Sequence, residues 1–239
     1  MTAYTAEQYE QNYPDGIGDY FWNLARNHVI ADTLRAAGVA GEAMLEVGCS
    51  TGVVLGYLRN HGMDCIGSEL GRPPVPAELA PHLHTGLDAC ALPEAVRQRI
   101  TMLLLCDVIE HLPKPETFLS RLLAAFPNVR HVLVTVPARQ EIWSNYDEHF
   151  GHFRRYDRPS LGRELAASGL VVVRQRYFFH ALYALMAVLT LLGIKRGVDQ
   201  AAPARPGLHR LMARLCRWEA RLLPGGLAGS SLVALARRR

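Results

Sequence analysis

The stretch Met44-Leu45-Glu46-Val47-Gly48-Cys49-Ser50-Thr51-Gly52 decides the fold of this 239-residue chain. Its first four residues are apolar except for Glu46 and predict a short strand. Small residues then lead into a helical pattern that begins at Val53. A strand, a glycine turn and a helix form the usual start of a Rossmann-like nucleotide site. The glycines let the backbone approach a ligand closely, and the helix N-terminus offers free N–H groups.

An acidic residue separates this turn from a dinucleotide site, whose pattern is G-x-G-x-x-G. The order here is Glu46-x-Gly48-x-Ser50-x-Gly52. A carboxylate at the strand end repels a pyrophosphate and attracts a ligand that carries an ammonium group. The stretch resembles motif I of class I S-adenosylmethionine (SAM) methyltransferases, with Ser50 at the place of the middle glycine. The resemblance implies that SAM is the cofactor and S-adenosylhomocysteine (SAH) the product.

A second acidic residue supports this interpretation. Glu69 ends another short strand, 23 residues after Glu46, close to the spacing at which an acid meets ribose hydroxyls. The resemblance implies cofactor contacts from Glu46, Gly48, Cys49, Ser50, Gly52, Glu69, Leu70, Asp88, Ala89, Asp107, Val108 and His111, and Arg26 could reach the cofactor carboxylate. Two alternatives stay open: Asp88 caps a turn before Leu92, and Arg26 lies on a solvated helix face.

The apolar run 100–106 predicts a buried fourth strand. It leads into Asp107-Val108-Ile109-Glu110-His111-Leu112-Pro113, which resembles the motif after strand four in ubiquinone-type small-molecule methyltransferases. A similar trio to Asp107, Glu110 and His111 binds a divalent metal in some ubiquinone-pathway O-methyltransferases. Because metal-free relatives also carry the motif, we assign no metal.

The long loop after the predicted fifth strand, 131–137, should hold the substrate chemistry, since open α/β sheets bind ligands beyond the carboxyl ends of their strands. Histidine accepts protons near neutral pH, and arginine holds carboxylates or phosphates. We predict His149, His152 and Tyr156 as catalytic residues, and Tyr20, Trp22, Trp143, Arg154 and Arg155 as substrate contacts. Alternatively, His152, Arg154 and Tyr156 lock the loop to the core, or His149 and His152 bind a metal.

The C-terminal part combines apolar and basic character. Residues 177–194 contain no charged side chain, and residues 195–239 contain ten basic and two acidic ones, a net +8 in a chain of net +4. The apolar run is too interrupted to favour a membrane span. The segment 208–223 predicts an amphipathic basic helix. This region either covers the active-site end of the sheet, contacts anionic lipid, or forms a homodimer interface; we name 179–223 as the candidate membrane contact.

Partners and compartment follow from composition. We expect a small-molecule substrate and no nucleic acid, because no platform of aromatic residues accompanies the basic tail. Five cysteines without paired spacing and an N-terminus without a secretory signal predict a cytoplasmic protein, with peripheral membrane contact as the alternative.

The expected architecture is α/β, a Rossmann-like seven-stranded sheet of the class I methyltransferase fold whose last strand is antiparallel. We divide it into an N-terminal helical cap (1–38), a SAM-binding core (39–178), an apolar and basic helical insertion (179–228) and the last strand (229–239). The expected activity is SAM-dependent methyl transfer to an oxygen or nitrogen of a natural product, sugar or lipid- or quinone-like acceptor. The alternatives are a non-catalytic SAM-binding partner protein and an NAD-type oxidoreductase.

Overall fold

The computed structural model describes Tyr9, residues 13–198 and residues 203–239. A seven-stranded sheet runs in the order β3-β2-β1-β4-β5-β7-β6. The first five strands are parallel, and β7 is antiparallel to both of its neighbours. The strands are β1 Met44–Val47, β2 Cys65–Glu69, β3 Leu83–Thr85, β4 Met102–Cys106, β5 His131–Pro137, β6 Leu170–Phe178 and β7 Ser231–Arg238. The predicted α/β fold is confirmed, and β1 and β4 flank the crevice where such sheets bind ligands.

Helices cover both faces of the sheet. They are α1 Phe21–Ala36, α2 Val53–Asn60, α3 Glu94–Arg99, α4 Pro115–Ala125, α5 Asn145–His149, α6 Arg158–Ala167, α7 His180–Leu191 and α8 Pro206–Leu222. Gly38, at φ 72°, follows α1 as the left-handed residue that commonly ends a helix. Residues 1–8 and 10–12 of the predicted cap, and residues 199–202 of the predicted insertion, lie outside the described residues.

Two apolar layers hold the sheet. On one face, α4 and α6 bury leucines such as Leu122 and Leu165. On the other face, α1 and α2 bury residues such as Ile30 and Leu55. The second layer also contains two alanines of α8, Ala213 and Ala220, which are the buried residues of that helix.

Helix α8 packs on the protein through its small and charged residues, so its apolar side does not cover the sheet. The helix packs on α1 through its alanines and through Asp32 of α1, which accepts hydrogen bonds from Arg217 and Arg221. Its apolar side faces solvent and is 50–74% exposed: Leu208, Leu211, Leu215, Trp218 and Leu222. Short side chains let the two helices approach, and the carboxylate compensates both arginines.

Two further expectations concern cysteines and membrane spans. Among the described residues, none of the five cysteines forms a disulfide, and Cys49, Cys65 and Cys106 are buried. Within the same ranges, no helix has the length and apolar character needed to cross a bilayer.

Candidate active site

The turn after β1 has the backbone shape of a ligand-binding loop. Gly48 and Gly52 have φ values of 75° and 85°, and Ser50 between them has φ 48°. A Cβ atom on Gly48 would lie 3.0 Å from Val108 Cγ2, so only glycine fits there without a shift. Asp107, just before Val108, has φ 56°. Left-handed residues other than glycine are costly and cluster at functional sites, and Ser50 and Asp107 follow the neighbouring strands β1 and β4.

Glu46 supports this turn from within. Its Oε2 accepts a hydrogen bond from the Leu55 backbone N–H of α2 at 2.9 Å, and the side chain is buried. Burial raises the pKa of Glu46 to about 8, against the opposing charge of Arg26. The carboxyl group therefore holds the first turn of α2, a role that the sequence did not indicate. Its predicted attraction of a cofactor ammonium stays a prediction.

Glu69 connects the turns after β1 and β2. Its Oε2 accepts from the Ser50 N–H at 2.8 Å, and its Oε1 accepts from the Gly71 N–H at 3.1 Å. The Tyr9 hydroxyl is also hydrogen-bonded to Glu69, and burial, the largest cause, raises the pKa of Tyr9, so that the phenol stays a donor. A ribose presents the same O–H donors. The environment of Glu69 therefore fits a ribose hydroxyl, and Leu70 directly follows it.

Arg26 has an acidic protein partner, and its predicted contact with the cofactor carboxylate stays a prediction. Its Nη1 is 2.6 Å from Asp107 Oδ2, and its guanidinium lies 4.7 Å from the centre of the Trp22 ring. Both charged side chains line the cavity described below. The alternative of a solvated helix face is wrong for Arg26, because this residue is buried.

Asp88 adopts the geometry of the cap alternative. Its Oδ1 accepts from the Cys90 N–H at 2.9 Å and caps the short turn Ala89–Ala91. Its Oδ2 accepts from Arg121 at 2.9 Å. Both oxygens thus have partners, and the cofactor contacts expected of Asp88 and of the buried Ala89 beside it stay predictions.

A cavity of about 590 Å³ lies beyond β4 and β5. Residues after β4 and the end of β5 form its floor, α1 and the preceding turn form one wall, and α7 forms another. Its lining is aromatic (Tyr13, Tyr20, Phe21, Trp22, Tyr146, Phe150), aliphatic (Ile17, Leu182, Leu185, Met186, Leu189) and polar or charged (Asn23, Arg26, Asp107, Glu110, His111, His152, Arg155, Arg196, Ser230, Ser231), with Pro137 and Gly197. A mixed cavity of this kind fits an amphiphilic small molecule.

His152 is held by a buried carboxylate. Its Nδ1 lies 2.9 Å from Asp147 Oδ1, and the same oxygen accepts from Arg155 Nε at 2.7 Å. Although burial opposes ionisation, the hydrogen bond from His152 and the charge of Arg155 lower the pKa of Asp147. An ionised carboxylate can only accept, so Nδ1 of His152 carries a proton and Nε2 is available as a base.

His152 also approaches two residues that follow β4. One possible ligand atom each from Glu110, His111 and His152 lies within 4.8 Å of the others, so this trio could hold a metal ion. Burial, and then repulsion from His152 when that ring is protonated, lower the pKa of His111 to about 4. Burial and then the charge of Asp107 raise the pKa of Glu110, whose two oxygens have no partner among the described residues. The trio takes Glu110 and His111 from one metal-binding set considered in the sequence and His152 from the other.

Two of the three predicted catalytic residues do not reach the cavity. His149 lies on the exposed side of α5, where its ring packs edge-on against Phe150 at 5.0 Å. Tyr156 is buried in the core and bridges to Ala138 of the neighbouring loop. Because neither side chain lines the cavity, we correct both assignments and keep His152.

The predicted substrate contacts divide in the same way. Tyr20, Trp22 and Arg155 line the cavity, whereas Trp143 and Arg154 do not. Arg154 instead donates to the carbonyls of Leu112 and Pro113, so it locks the loop as the alternative proposed. A sequence pattern cannot separate two adjacent arginines that point to opposite sides of a loop.

Sequence reasoning missed part of the cavity wall. Arg196 lies 4.5 Å from the centre of the Tyr146 ring, and Asn145 accepts from the Arg196 N–H. The contacts of Arg196 join parts of the chain about fifty residues apart, which no local pattern reveals. The aliphatic wall from α7 agrees with one alternative for this region, a cover over the active-site end of the sheet.

Comparisons with known proteins agree with this geometry. Residues 21–175 match the family model described as a methyltransferase domain. The ubiquinone biosynthesis O-methyltransferase of Photorhabdus laumondii is 26% identical over 90 residues, which make up 35% of this chain and only 38% of that protein.

Solved structures have the same fold. The 1,6-didemethyltoxoflavin-N1-methyltransferase of Burkholderia thailandensis, solved with SAH and 1,6-didemethyltoxoflavin, gives a TM-score of 0.56 at 16% identity over 98% of this chain and 83% of that one. A putative sarcosine dimethylglycine methyltransferase from Galdieria sulphuraria gives 0.54 at 15% identity over 90% and 86%. At such identities the likeness concerns the fold alone.

The family model extends from the start of α1 into β6 and covers more than half of the chain. It contains the glycine turn, Glu69 and the residues after β4. This chain therefore belongs to the class I SAM-dependent methyltransferase family.

Proposed function

We propose that the enzyme transfers the methyl group of SAM to a hydroxyl oxygen of an amphiphilic small molecule. The observation that carries this proposal is the position of His152, which is hydrogen-bonded to Asp147 and lines the same cavity as the apolar helix α7. SAM supplies an electrophilic methyl group on a sulfonium, so the protein has to align the acceptor, exclude water and accept a proton.

The cofactor lies on the turn after β1 in this proposal. Gly48, Ser50 and Gly52 border its methionine part, and Glu69 accepts from the ribose hydroxyls in place of the Tyr9 hydroxyl. Glu46, below the turn, interacts with the ammonium group. The left-handed glycines and the O–H donor already bonded to Glu69 support this placement.

The acceptor lies in the cavity beside α7. Leu182, Met186 and Leu189 contact its apolar body, and Nε2 of His152 takes the hydroxyl proton. Arg196 lines the same cavity and pairs with no carboxylate among the described residues. It favours an acceptor with an acidic or anionic group. The name of the Photorhabdus relative, an O-methyltransferase, supports an oxygen nucleophile.

The acceptor proposal is tested with alkylcatechols of increasing chain length as probes and SAH release as the readout. We expect kcat/KM to rise with chain length, because α7 contacts the alkyl group. His152→Gln should lower kcat by about 10²- to 10⁴-fold, the usual effect of losing a general base. His149→Gln, the same change on the exposed side of α5, should leave kcat unchanged. Equal losses in both variants would contradict the role of His152.

A metal-assisted route is the second candidate, because Glu110, His111 and His152 could together hold a cation. In that case EDTA abolishes turnover and added Mg²⁺ or Mn²⁺ restores it. Turnover that is insensitive to EDTA, together with the loss in His152→Gln, supports the proton-acceptor role instead.

The placement of Glu46 has its own test. With a pKa of about 8, the free carboxyl group is mostly protonated at pH 7. An ammonium group bound beside it stabilises the carboxylate and lowers this pKa, so binding should release a proton. SAH titrations in two buffers of different ionisation enthalpy should therefore differ in apparent heat. Glu46→Gln should remove the difference, and a wild-type heat that does not depend on the buffer would contradict the placement.

A further inference from the structure

The outer sides of α7 and α8 are apolar and exposed. On α7, Leu185, Val188 and Leu191 recur at helical spacing and are 52–85% exposed. On α8, Leu211, Leu215 and the other three residues of the exposed side repeat every three or four positions. We call these two sets the apolar face. Soluble monomers seldom expose large apolar patches unless the patches bind something.

Hydrogen bonds to two neighbouring helices fix this orientation of α8. Arg217 and Arg221 both donate to Asp32 of α1, with N–O distances between 2.6 and 2.9 Å. Glu219 of α8 accepts from the His180 and Ala181 N–H groups at the start of α7, at 3.1 and 2.7 Å. These bonds pin the polar side of α8 to the protein and link it to α7, so its leucines and Trp218 must face outward.

Unpaired positive charge accompanies the apolar face. Arg214 lies within α8, three residues after Leu211 and four before Trp218. This spacing places it at the edge of the apolar face. Lys195 and Arg205, between the two helices, are exposed like Arg214, and no carboxylate of the described residues pairs with any of the three. Long basic side chains can extend past apolar surface to reach anionic headgroups. Apolar residues bordered by unpaired arginine and lysine are typical of helices that lie on anionic membranes.

We propose that the apolar face docks on an anionic membrane surface. The charge argues against a second copy of the chain as the occupant, because a two-fold dimer brings the same patch together. The uncompensated basic residues of both copies would then lie near one another. An anionic bilayer instead attracts these residues while it buries the leucines and Trp218.

Docking also narrows the acceptor class, a consequence that rests on the proposed function. Leu185 belongs to the apolar face and also lines the cavity. Leu182, Met186 and Leu189 of the same helix line the cavity as well. The wall that contacts the acceptor is therefore the helix that contacts lipid. A docked enzyme takes an amphiphilic acceptor from the lipid phase.

Vesicle flotation of the full chain tests the docking. We use phosphatidylcholine vesicles and vesicles that also contain phosphatidylglycerol. We expect flotation with the anionic vesicles, at least about tenfold weaker binding to the neutral ones, and weaker binding as salt rises. The tryptophan emission should shift to the blue on anionic vesicles in the wild type and not in Trp218→Phe, because Trp218 enters the interface.

Matched variants separate the apolar face from general stickiness. Leu215→Ser combined with Trp218→Ser, and separately Arg214→Glu, should each weaken vesicle binding about tenfold or more. Two controls change equally exposed residues elsewhere: Val173→Ser on β6 and Arg163→Glu on α6. Both should float like the wild type. Circular dichroism and SAH calorimetry on the same samples establish that each variant is folded.

Other outcomes would overturn the proposal. A folded wild type that does not float with anionic vesicles contradicts docking, whether or not it binds SAH. A dimer seen by light scattering, which Leu215→Ser with Trp218→Ser converts to monomers, would assign the apolar face to a second copy. Flotation without SAH binding or methyl transfer would leave the docking intact and contradict the proposed function.

Discussion

Helices α4 and α8 carry similar amphipathic patterns and bury opposite sides. In α4, Leu119, Leu122 and Leu123 are buried in the core beneath the sheet. In α8, the leucines face solvent, and Ala213 and Ala220 face the protein. An amphipathic pattern therefore predicts that a helix has two sides, but it does not predict which side contacts the rest of the chain.

The neighbour of each helix accounts for the difference. Helix α4 lies on apolar strands. Each large apolar side chain that it buries against them stabilises the folded protein by roughly 1.5–3 kcal/mol. Beside α8 lies Asp32 of α1, a carboxylate that needs partners, and Arg217 and Arg221 supply them. The leucines of α8 remain exposed and contribute no such burial energy within the chain. We expect another surface to cover them.

The largest expected effect comes from a charge placed among the buried leucines of α4. Leu122→Asp places a charge in the core and should lower the free energy of unfolding by about 4 kcal/mol or more. Leu215→Asp, the same change on the exposed side of α8, should alter it by less than about 0.5 kcal/mol. Urea denaturation measures both. Comparable losses in the two variants would mean that α8 buries its leucines after all.

An intermediate effect tests the contact between α8 and α1. Ala220→Leu adds atoms where the helices approach closely and should cost about 1–3 kcal/mol of unfolding free energy. Ala184→Leu, at an exposed position of α7, serves as the control and should cost little. If thermal and urea denaturation find Ala220→Leu neutral, the close approach of the helices is wrong.

The smallest effect concerns the charges of the same contact. Hydrogen bonds and charges from Arg217 and Arg221 overcome the cost of burial and lower the pKa of Asp32 to about 2. Because its pKa is lower folded than unfolded, where it is about 4, Asp32 stabilises the protein above pH 4. This contribution disappears as the pH falls toward 2. Asp32→Asn should cost about 1–2 kcal/mol at pH 7, since the pair is partly solvated, and the difference from wild type should become small at pH 2 and vanish below it. A constant difference across this range would contradict the ion pairs.

Local patterns were sufficient for most of the sheet. The strands at 44–47 and 131–137 have the predicted bounds, because short, mainly apolar runs between turn residues permit few other structures. The sequence also located the glycine turn and Glu69, since backbone shape and strand ends depend on nearby residues. The side of α8 that packs was not predictable, because it depends on Asp32, which lies about 185 residues away in the chain.

Within the site, residue type was easier to predict than direction. His149 and His152 lie three residues apart and suit the same chemistry, yet the first is exposed on α5 and the second follows the turn at Gly151, where φ is 68°. That turn directs His152 toward Asp147 and the cavity. The Tyr9 contact with Glu69 joins residues sixty positions apart, and no motif near either residue indicates it.

The central claim is that the turn after β1, together with Glu69, binds the cofactor. Calorimetric titration of SAH into the wild type tests it most directly, with Glu69→Ala as the variant and Glu94→Ala at an exposed position of α3 as the control. We predict a roughly micromolar dissociation constant for the wild type and the control, and binding about tenfold weaker or worse for Glu69→Ala. A folded wild type that binds no SAH, or a Glu69→Ala variant that binds it as tightly as the wild type, would contradict this account.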